Sequence, residues 1–153
     1  MYTCTKRYPE ICVAHRNWQS QTHCALIHGY ARTVEVTISC LSLSSANWVV
    51  DLGDLRFIKE FLYEQWDHRL LVASDDPLLD EMRKMEELGL LSLNILDANR
   101  GWGPSLEQSC RFILDHIQTR LRDLTQGRCW VSKVEVWEKT DNRASLVVEA
   151  PPA

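Results

Sequence analysis

One alternating segment constrains the fold more than any other feature of the sequence. In TVEVTISCL, residues 33–41, the even-numbered positions hold Val, Val, Ile and Cys, and the odd-numbered positions from 33 to 39 hold Thr, Glu, Thr and Ser. Successive side chains of a strand point to opposite faces, so the segment predicts a strand with one apolar face. One-sided burial of this kind is typical of antiparallel sheets.

After this segment the apolar spacing changes from that of a strand to that of a helix. Leu55, Ile58, Leu62 and Trp66 fall on one helical face, and Asp51 is the predicted N-cap. A second, shorter helix is predicted in DPLLDEMRKMEELG, where a glycine ends it. Helices with one apolar stripe can cover the apolar face of a sheet.

A third helix and further strands complete the pattern. Ser105 and Gln108 match a capping box, and helical apolar spacing continues to Leu121. The remaining predicted strands are residues 2–8, 90–96, 130–138 and 144–149. This order predicts a single α+β domain over residues 1–153, with an antiparallel sheet and helices on one face. Open sheet edges need partners, so we expect an oligomer.

Composition excludes several classes of function. Apolar residues make up 45% and charged residues 25% of the chain, and the net charge is −4. This is an ordinary globular composition without the basic footprint of nucleic-acid binding. No apolar run approaches the roughly 18 residues that span a bilayer, and the N-terminus lacks the apolar core of a signal peptide. We therefore expect a cytoplasmic protein with no nucleic-acid or membrane partner.

The six cysteines include no C-x-x-C pair, which argues against a zinc ribbon or a thioredoxin-like motif. In a reducing compartment we expect thiols, most of them small core residues. Cys24 lies four residues before His28. Its thiol is either inert packing or, beside a cation or metal that lowers its pKa, a base or nucleophile.

Histidines concentrate ahead of the alternating segment, at His15, His23 and His28. Imidazole is a common zinc ligand in tetrahedral sites, which makes this region a candidate metal site. Spacing alone favours the alternative, in which the histidines are scattered loop or surface residues.

Several acidic side chains have both a chemical and a structural interpretation. Asp67 precedes His68, and a carboxylate that orients an imidazole is a common proton-transfer device, although adjacent residues rarely pair directly. Glu107 lies in the first turn of a predicted helix, where the helix dipole favours an acid in any case. Glu138 ends a strand and either aids solubility or anchors a guanidine-like ligand edge through two hydrogen bonds.

The order of these motifs resembles that of a known family. VAHRNW, CALIHG, VVDLGDLRFIKEF, WDH, PSLE and VEVWE follow one another between about residues 3 and 149. The 6-pyruvoyltetrahydropterin synthase and 6-carboxytetrahydropterin synthase family has AAH, CxxxHGH, DFxxLK, LDH, PTxE and a strand ending in ET in the same order. The resemblance implies the tunnelling fold, a four-stranded antiparallel sheet with helices packed on one face. It also implies a hexamer of two stacked trimeric rings, with active sites between subunits.

The resemblance assigns roles to particular residues. The implied small-molecule substrate is dihydroneopterin triphosphate, which loses triphosphate after proton abstraction. The implied cofactor is zinc. The implied catalytic residues are Cys24, Asp67 and His68, the substrate-binding residues are Glu107 and Glu138, and the metal ligands are His15, His28 and Tyr30.

Tyr30 departs from the family pattern, which has a third histidine at this position. Residues i and i+2 of a strand share a face, so Tyr30 still aims at the metal, but its phenol must lose a proton with a reference pKa near 10. Three outcomes are open: Tyr30 ligates a weakened zinc site, His23 replaces it, or the metal is absent. In EKT, a lysine also separates Glu138 from the threonine of the family's ET.

Three functions remain open at this level. The retained acid, base and thiol residues favour a pterin-forming carbon–oxygen lyase. The lost histidine favours a metal-poor enzyme that condenses an amine with an aldehyde and closes a ring, a Pictet–Spengler-type step of specialised metabolism. A non-catalytic binding oligomer predicts damaged proton-transfer residues, and the sequence shows no such damage.

Overall fold

A computed structural model describes residues 1–149, which form a six-stranded sheet with helices packed against it. The strands in chain order are β1 (Tyr2–His15), β2 (His28–Cys40), β3 (Arg69–Ala73), β4 (Leu93–Leu96), β5 (Cys129–Trp137) and β6 (Arg143–Val147). The α-helices are α1 (Arg56–Trp66), α2 (Leu79–Glu87) and α3 (Leu106–Leu124). None of the helices within these residues is both long and apolar enough to cross a membrane.

The α+β class and the antiparallel core are confirmed, and the sheet is larger than expected. Strands β1, β2, β5 and β6 form the four expected antiparallel strands, in the order β1-β2-β5-β6. Two further strands extend the sheet, because β3 pairs in parallel with the end of β1 and β4 pairs in parallel with β3. The prediction missed β3 because all but its first residue is buried, which leaves no alternation to detect.

The apolar face of the alternating segment is buried as predicted, and Thr33 and Ser39 on its other face are buried as well. Val34, Val36 and Ile38 of β2 are fully buried beneath the helices. The apolar stripe of α1, which includes Ile58 and Leu62, belongs to the same core cluster as the apolar stripe of α3. We call this the helix face of the sheet, and its apolar burial is the main stabilising contribution in a domain of this kind.

A β-bulge in β1 determines which side chains reach the helix face. The register of β1 against β2 shifts between Tyr8 and Ile11, so that Tyr8, Ile11, Val13 and His15 are all buried. Side chains alternate strictly in an unbroken strand, so without the extra residue His15 would lie on the face opposite Tyr8. Glu10 sits in the bulge with a positive φ of 57°.

The helix N-termini differ in how well the sequence predicts them. The Ser105 hydroxyl accepts a hydrogen bond from the Gln108 backbone N–H at 3.1 Å, which confirms Ser105 as the N-cap of α3. Asp51 is wrong as the N-cap of α1, because Leu55 holds that position and makes no side-chain cap bond. The Asp51 carboxylate accepts instead from the Gly53 backbone N–H at 2.8 Å, in a turn that precedes the helix.

Replacing Ser105 by Ala should lower the free energy of unfolding by about 1 kcal/mol, because the cap bond to the first turn of α3 is lost. Chemical denaturation measures this change. Thr119→Ala, at an exposed position in the interior of the same helix, is the control and should leave stability unchanged or slightly raised. Equal stability of Ser105→Ala and the wild type would contradict the assigned cap.

Candidate metal and substrate site

Two histidines meet where the first two strands begin and end. His15, the last residue of β1, pairs directly with His28, the first residue of β2. Their ring centroids are 4.1 Å apart. Tyr30 lies on the same face of β2, with its ring centroid 5.9 Å from that of His15 and 5.6 Å from that of His28.

Glu138 completes a cluster of donor atoms. This residue directly follows β5. One carboxylate oxygen of Glu138, one ring nitrogen of His15 and one ring nitrogen of His28 all lie within 4.8 Å of one another. Among residues 1–149 this is the one such grouping of three histidine, cysteine or acidic side chains. Two imidazoles and one carboxylate form a known ligand set of catalytic zinc.

His15 and His28 each have a ring nitrogen that is free to bind a metal ion. His28 Nδ1 lies 2.6 Å from the Leu26 carbonyl oxygen, which places the proton on Nδ1 and leaves Nε2 with a free lone pair. Buried His28 Nε2 and buried His15 Nδ1 have no hydrogen-bond partner. Buried polar atoms are normally satisfied, and a backbone carbonyl commonly orients a metal-ligating histidine from behind. The residues present therefore fit a metal ion.

The electrostatics keep His15 neutral. Burial, followed by the charges of Arg32 and His28, lowers the pKa of His15 from its ordinary value to about 3. A neutral imidazole is the form that binds metal, so His15 is ready to act as a ligand at neutral pH.

Arg32 is a buried cation next to this cluster. It is fully buried on the helix face of β2, and burial lowers its pKa to about 10, while the charge of Glu138 opposes that shift. Its guanidinium donates to the Pro104 carbonyl at 2.9 Å and to the Ser109 hydroxyl at 3.2 Å, and it lies 5.6 Å from the ring of Trp66. Arg32 thus ties the strand that carries His28 to the first turn of α3.

Cys24 and His23 lie in a 3-10 turn before β2 and do not join the donor cluster. Cys24 is half-buried, and His23 is exposed. The Cys24 backbone N–H donates to the Thr22 hydroxyl at 3.4 Å, which fixes the turn four residues ahead of His28. His23 is not part of the donor grouping, which consists of His15, His28 and Glu138.

Asp67 and His68 pair directly, although adjacent residues rarely do. Asp67 Oδ2 lies 3.0 Å from His68 Nδ1, and His68 has a positive φ of 57°. The His68 side chain is 78% exposed. It borders a cavity lined by Cys12 and Ala14, whose side chains lie on the sheet face opposite that of His15. Within one chain the pair therefore does not meet the histidine cluster.

Glu107 is also separate from the cluster within one chain. It is exposed in the first turn of α3, where its charge complements the helix dipole. Of the eight residues that the resemblance assigns, the structure brings together His15, His28, Tyr30 and Glu138, and it leaves Cys24, Asp67, His68 and Glu107 apart from them.

A cavity of about 360 Å³ adjoins the cluster, and Tyr30, Glu138 and Lys139 are among its lining residues. The Lys139 ammonium lies 5.2 Å from the centre of the Tyr30 ring, a cation–π contact. The sequence signal for Lys139 was its insertion into the ET motif. Arg32 also had a sequence signal that the prediction did not use. It is a charged residue at an even-numbered position, in line with the buried residues Val34 and Val36 of β2.

Comparison with known proteins identifies the family. The model of the family described as 6-pyruvoyl tetrahydropterin synthase matches residues 3–149, and the chain belongs to this family. The 6-carboxy-5,6,7,8-tetrahydropterin synthase of Aquifex aeolicus is 26% identical over 128 residues, covering 82% of this chain and 76% of that protein. The family supports a role for this chain as a lyase in pterin biosynthesis.

Solved structures agree on the fold. An uncharacterized protein from Wolinella succinogenes has a TM-score of 0.84 at 22% identity, covering 97% of this chain and 98% of its own. The Caenorhabditis elegans 6-pyruvoyl tetrahydropterin synthase has a TM-score of 0.59 at 15% identity, covering 97% of this chain and 98% of its own. The tunnelling-fold expectation is confirmed, with six strands in the sheet in place of four.

Replacing Arg32 by Met should raise the affinity of the cluster for zinc several-fold, because it removes a buried positive charge that acts on His15. The same change should lower the free energy of unfolding by about 1–3 kcal/mol, since Pro104 and Ser109 lose their buried donor. Zinc titration against a competing chelator and chemical denaturation measure the two effects.

Arg83→Met removes an exposed arginine of α2, whose ion pair with Asp80 is long at 3.8 Å, and is the matched control for this experiment. It should change neither the zinc affinity nor the stability appreciably. Equal zinc affinity of Arg32→Met and the wild type would show that the guanidinium charge does not act on the donor cluster.

Proposed function

We propose that this protein is a pterin-forming lyase that acts on dihydroneopterin triphosphate, with zinc held by His15, His28 and Glu138. The observation that carries the proposal is the convergence of two orphaned imidazole nitrogens and a carboxylate oxygen. Zinc at such a site supplies a Lewis acid that polarises substrate oxygens and acidifies the neighbouring C–H bond.

Glu138 acts as the third ligand in this proposal, and Tyr30 does not. A carboxylate binds zinc at neutral pH without the loss of a proton of high pKa that a phenol requires. Tyr30 lines the adjoining cavity, where its hydroxyl can donate a hydrogen bond to the substrate. A Glu138 carboxylate that binds the metal cannot also accept hydrogen bonds through both oxygens from the edge of a pterin ring. Other groups must therefore bind that edge of the ring.

The chain's own residues supply the proton transfers. Cys24 is held on its turn ahead of His28 and serves as the thiol base. Asp67 orients the imidazole of His68, which serves as the second proton-transfer group. Because His68 is exposed and borders a cavity on the other face of the sheet, we assign it to a substrate bound by a neighbouring subunit. The proposal therefore includes a homo-oligomer, with a hexamer of two trimeric rings as the assembly.

The alternative function, a metal-poor enzyme of Pictet–Spengler type, has less support than the lyase function. That alternative rested on the loss of one of three metal ligands at Tyr30. Glu138 restores a set of three donors, so the sequence change at Tyr30 no longer implies a metal-free site.

The purified protein should carry about one zinc per subunit, as expected of a site with three protein ligands. Glu138→Gln should lower the zinc affinity at least about tenfold, because the amide is neutral and a poor zinc ligand. Tyr30→Phe is the control and should retain the metal. Metal analysis after dialysis against a chelator, together with the zinc-dependent shift in melting temperature, measures both. Loss of zinc in Tyr30→Phe with retention in Glu138→Gln would make the tyrosine the ligand.

The zinc-loaded protein should release triphosphate from dihydroneopterin triphosphate and form a tetrahydropterin product, both of which chromatography resolves. Cys24→Ala and His68→Ala should each lower kcat at least about 100-fold with zinc retained, because each removes a proton-transfer group. His23→Ala, which removes the exposed neighbour of Cys24, should leave kcat unchanged. A zinc-loaded wild type that releases no triphosphate would overturn the proposed reaction.

A further inference from the structure

A second cavity, of about 510 Å³, lies between β1 and the first turns of α1. Four of its lining side chains are cationic: Lys6, Arg7, Arg56 and Lys59. No carboxylate lines it among the residues that the structure describes. In a chain whose net charge is −4, such a concentration of positive charge is a local feature and not a consequence of composition.

The present partners of these cations are weak and replaceable. Arg56 pairs with Glu60 at 3.1 Å across an exposed helix surface, where the Arg56 side chain is 82% exposed. Lys59 lies 5.4 Å from the ring centre of Tyr63, a contact that leaves its ammonium donors free to hydrogen-bond an anion. Exposed ion pairs of this kind contribute little to stability, so an anion in the cavity can recruit both side chains at little cost.

The other two cations have partners on other segments of the chain. Arg7 pairs with Glu35 of β2 at 3.0 Å, and Lys6 donates to the Leu52 carbonyl ahead of α1. The Arg7 side chain is 57% exposed, so its ion pair with Glu35 is replaceable as well. The Lys6 hydrogen bond holds one donor at the edge of the cavity before any ligand binds, which lowers the entropy that binding must overcome.

The cationic cavity adjoins the metal-site cavity. Both are lined by Arg7 and by Pro9 of the β1 bulge, and the metal-site cavity continues to Tyr30 and Glu138. A ligand bound against Tyr30 therefore has a path for a flexible anionic tail past Pro9 into the cationic cavity. Phosphate oxygens suit such a site, because arginine and lysine donate strong charge-assisted hydrogen bonds to them.

We propose that this cationic cavity binds the phosphate chain of the substrate, which is the leaving group of the reaction. This inference rests on the proposed function. Arg56 and Lys59 contact the chain from α1, and Lys6 and Arg7 contact it from β1. The reacting end of the same substrate lies in the cavity beside Tyr30.

Inorganic tripolyphosphate tests the site without turnover. Calorimetry on the zinc-loaded protein should show saturable binding that weakens as salt increases, with orthophosphate binding more weakly. The double variant Arg56→Ala/Lys59→Ala should weaken tripolyphosphate binding at least about tenfold. Arg83→Ala/Lys84→Ala removes one exposed arginine and one exposed lysine from α2, each paired with a nearby carboxylate, and should change binding less than about twofold. No binding by the wild type, or equal weakening in both double variants, would overturn the proposal.

Kinetics separate this inference from the proposed function. Tripolyphosphate should compete with dihydroneopterin triphosphate, and Arg56→Ala/Lys59→Ala should raise KM at least about tenfold while kcat changes little. Normal turnover with an unchanged KM in that variant would overturn the phosphate site and leave the lyase function standing. A wild type without turnover that still binds tripolyphosphate through Arg56 and Lys59 would overturn the lyase function and support the phosphate site.

Discussion

The extra residue in β1 is the constraint on which the candidate site depends. An unbroken strand that buried Tyr8 against α1 would turn His15 to the opposite face of the sheet, away from His28. The bulge at Pro9 and Glu10 shifts the alternation by one residue, so that both the core residues before it and the histidine after it reach the helix face. The same bulge separates the two cavities, and Pro9 lines both of them. One local irregularity therefore places the candidate metal donors beside both cavities.

The positions of the three candidate donors follow from the way in which three strand ends meet. β1 ends at His15, β2 begins at His28, and β5 ends one residue before Glu138, so three strand termini bring three donors to one edge of the helix face. Regular pairing fixes these backbone positions with little freedom, which suits a site that needs its ligands preorganised. Loop residues such as Cys24 lack this support from the sheet. Their approach to a substrate depends more on the neighbouring subunit that the proposal includes.

The sequence predicted the parts of the fold that have a period, and missed the parts that do not. The alternation of β2 and the helical spacing of α1 and α3 were sufficient for the class and for the layer order. Strand β3 is buried almost throughout and gives no periodic signal, and the β1 bulge depends on pairing with β2 that no local pattern encodes. At the site, motif order indicated His15 and His28. It did not indicate that Glu138 lies beside the two histidines, because the convergence of β5 with β2 is a tertiary contact between residues far apart in sequence.

The charges around the donor cluster explain how Arg32 and Glu138 can coexist with a metal. A carboxylate ligand adds a negative charge that a third imidazole would not, and a buried arginine is costly unless a negative charge lies nearby. The charge of Glu138 raises the pKa of Arg32, against the effect of burial, so the two residues stabilise each other before any ion binds. Arg32 lies two residues beyond Tyr30 on the same face of β2, so its buried positive charge offsets negative charge at the donor cluster.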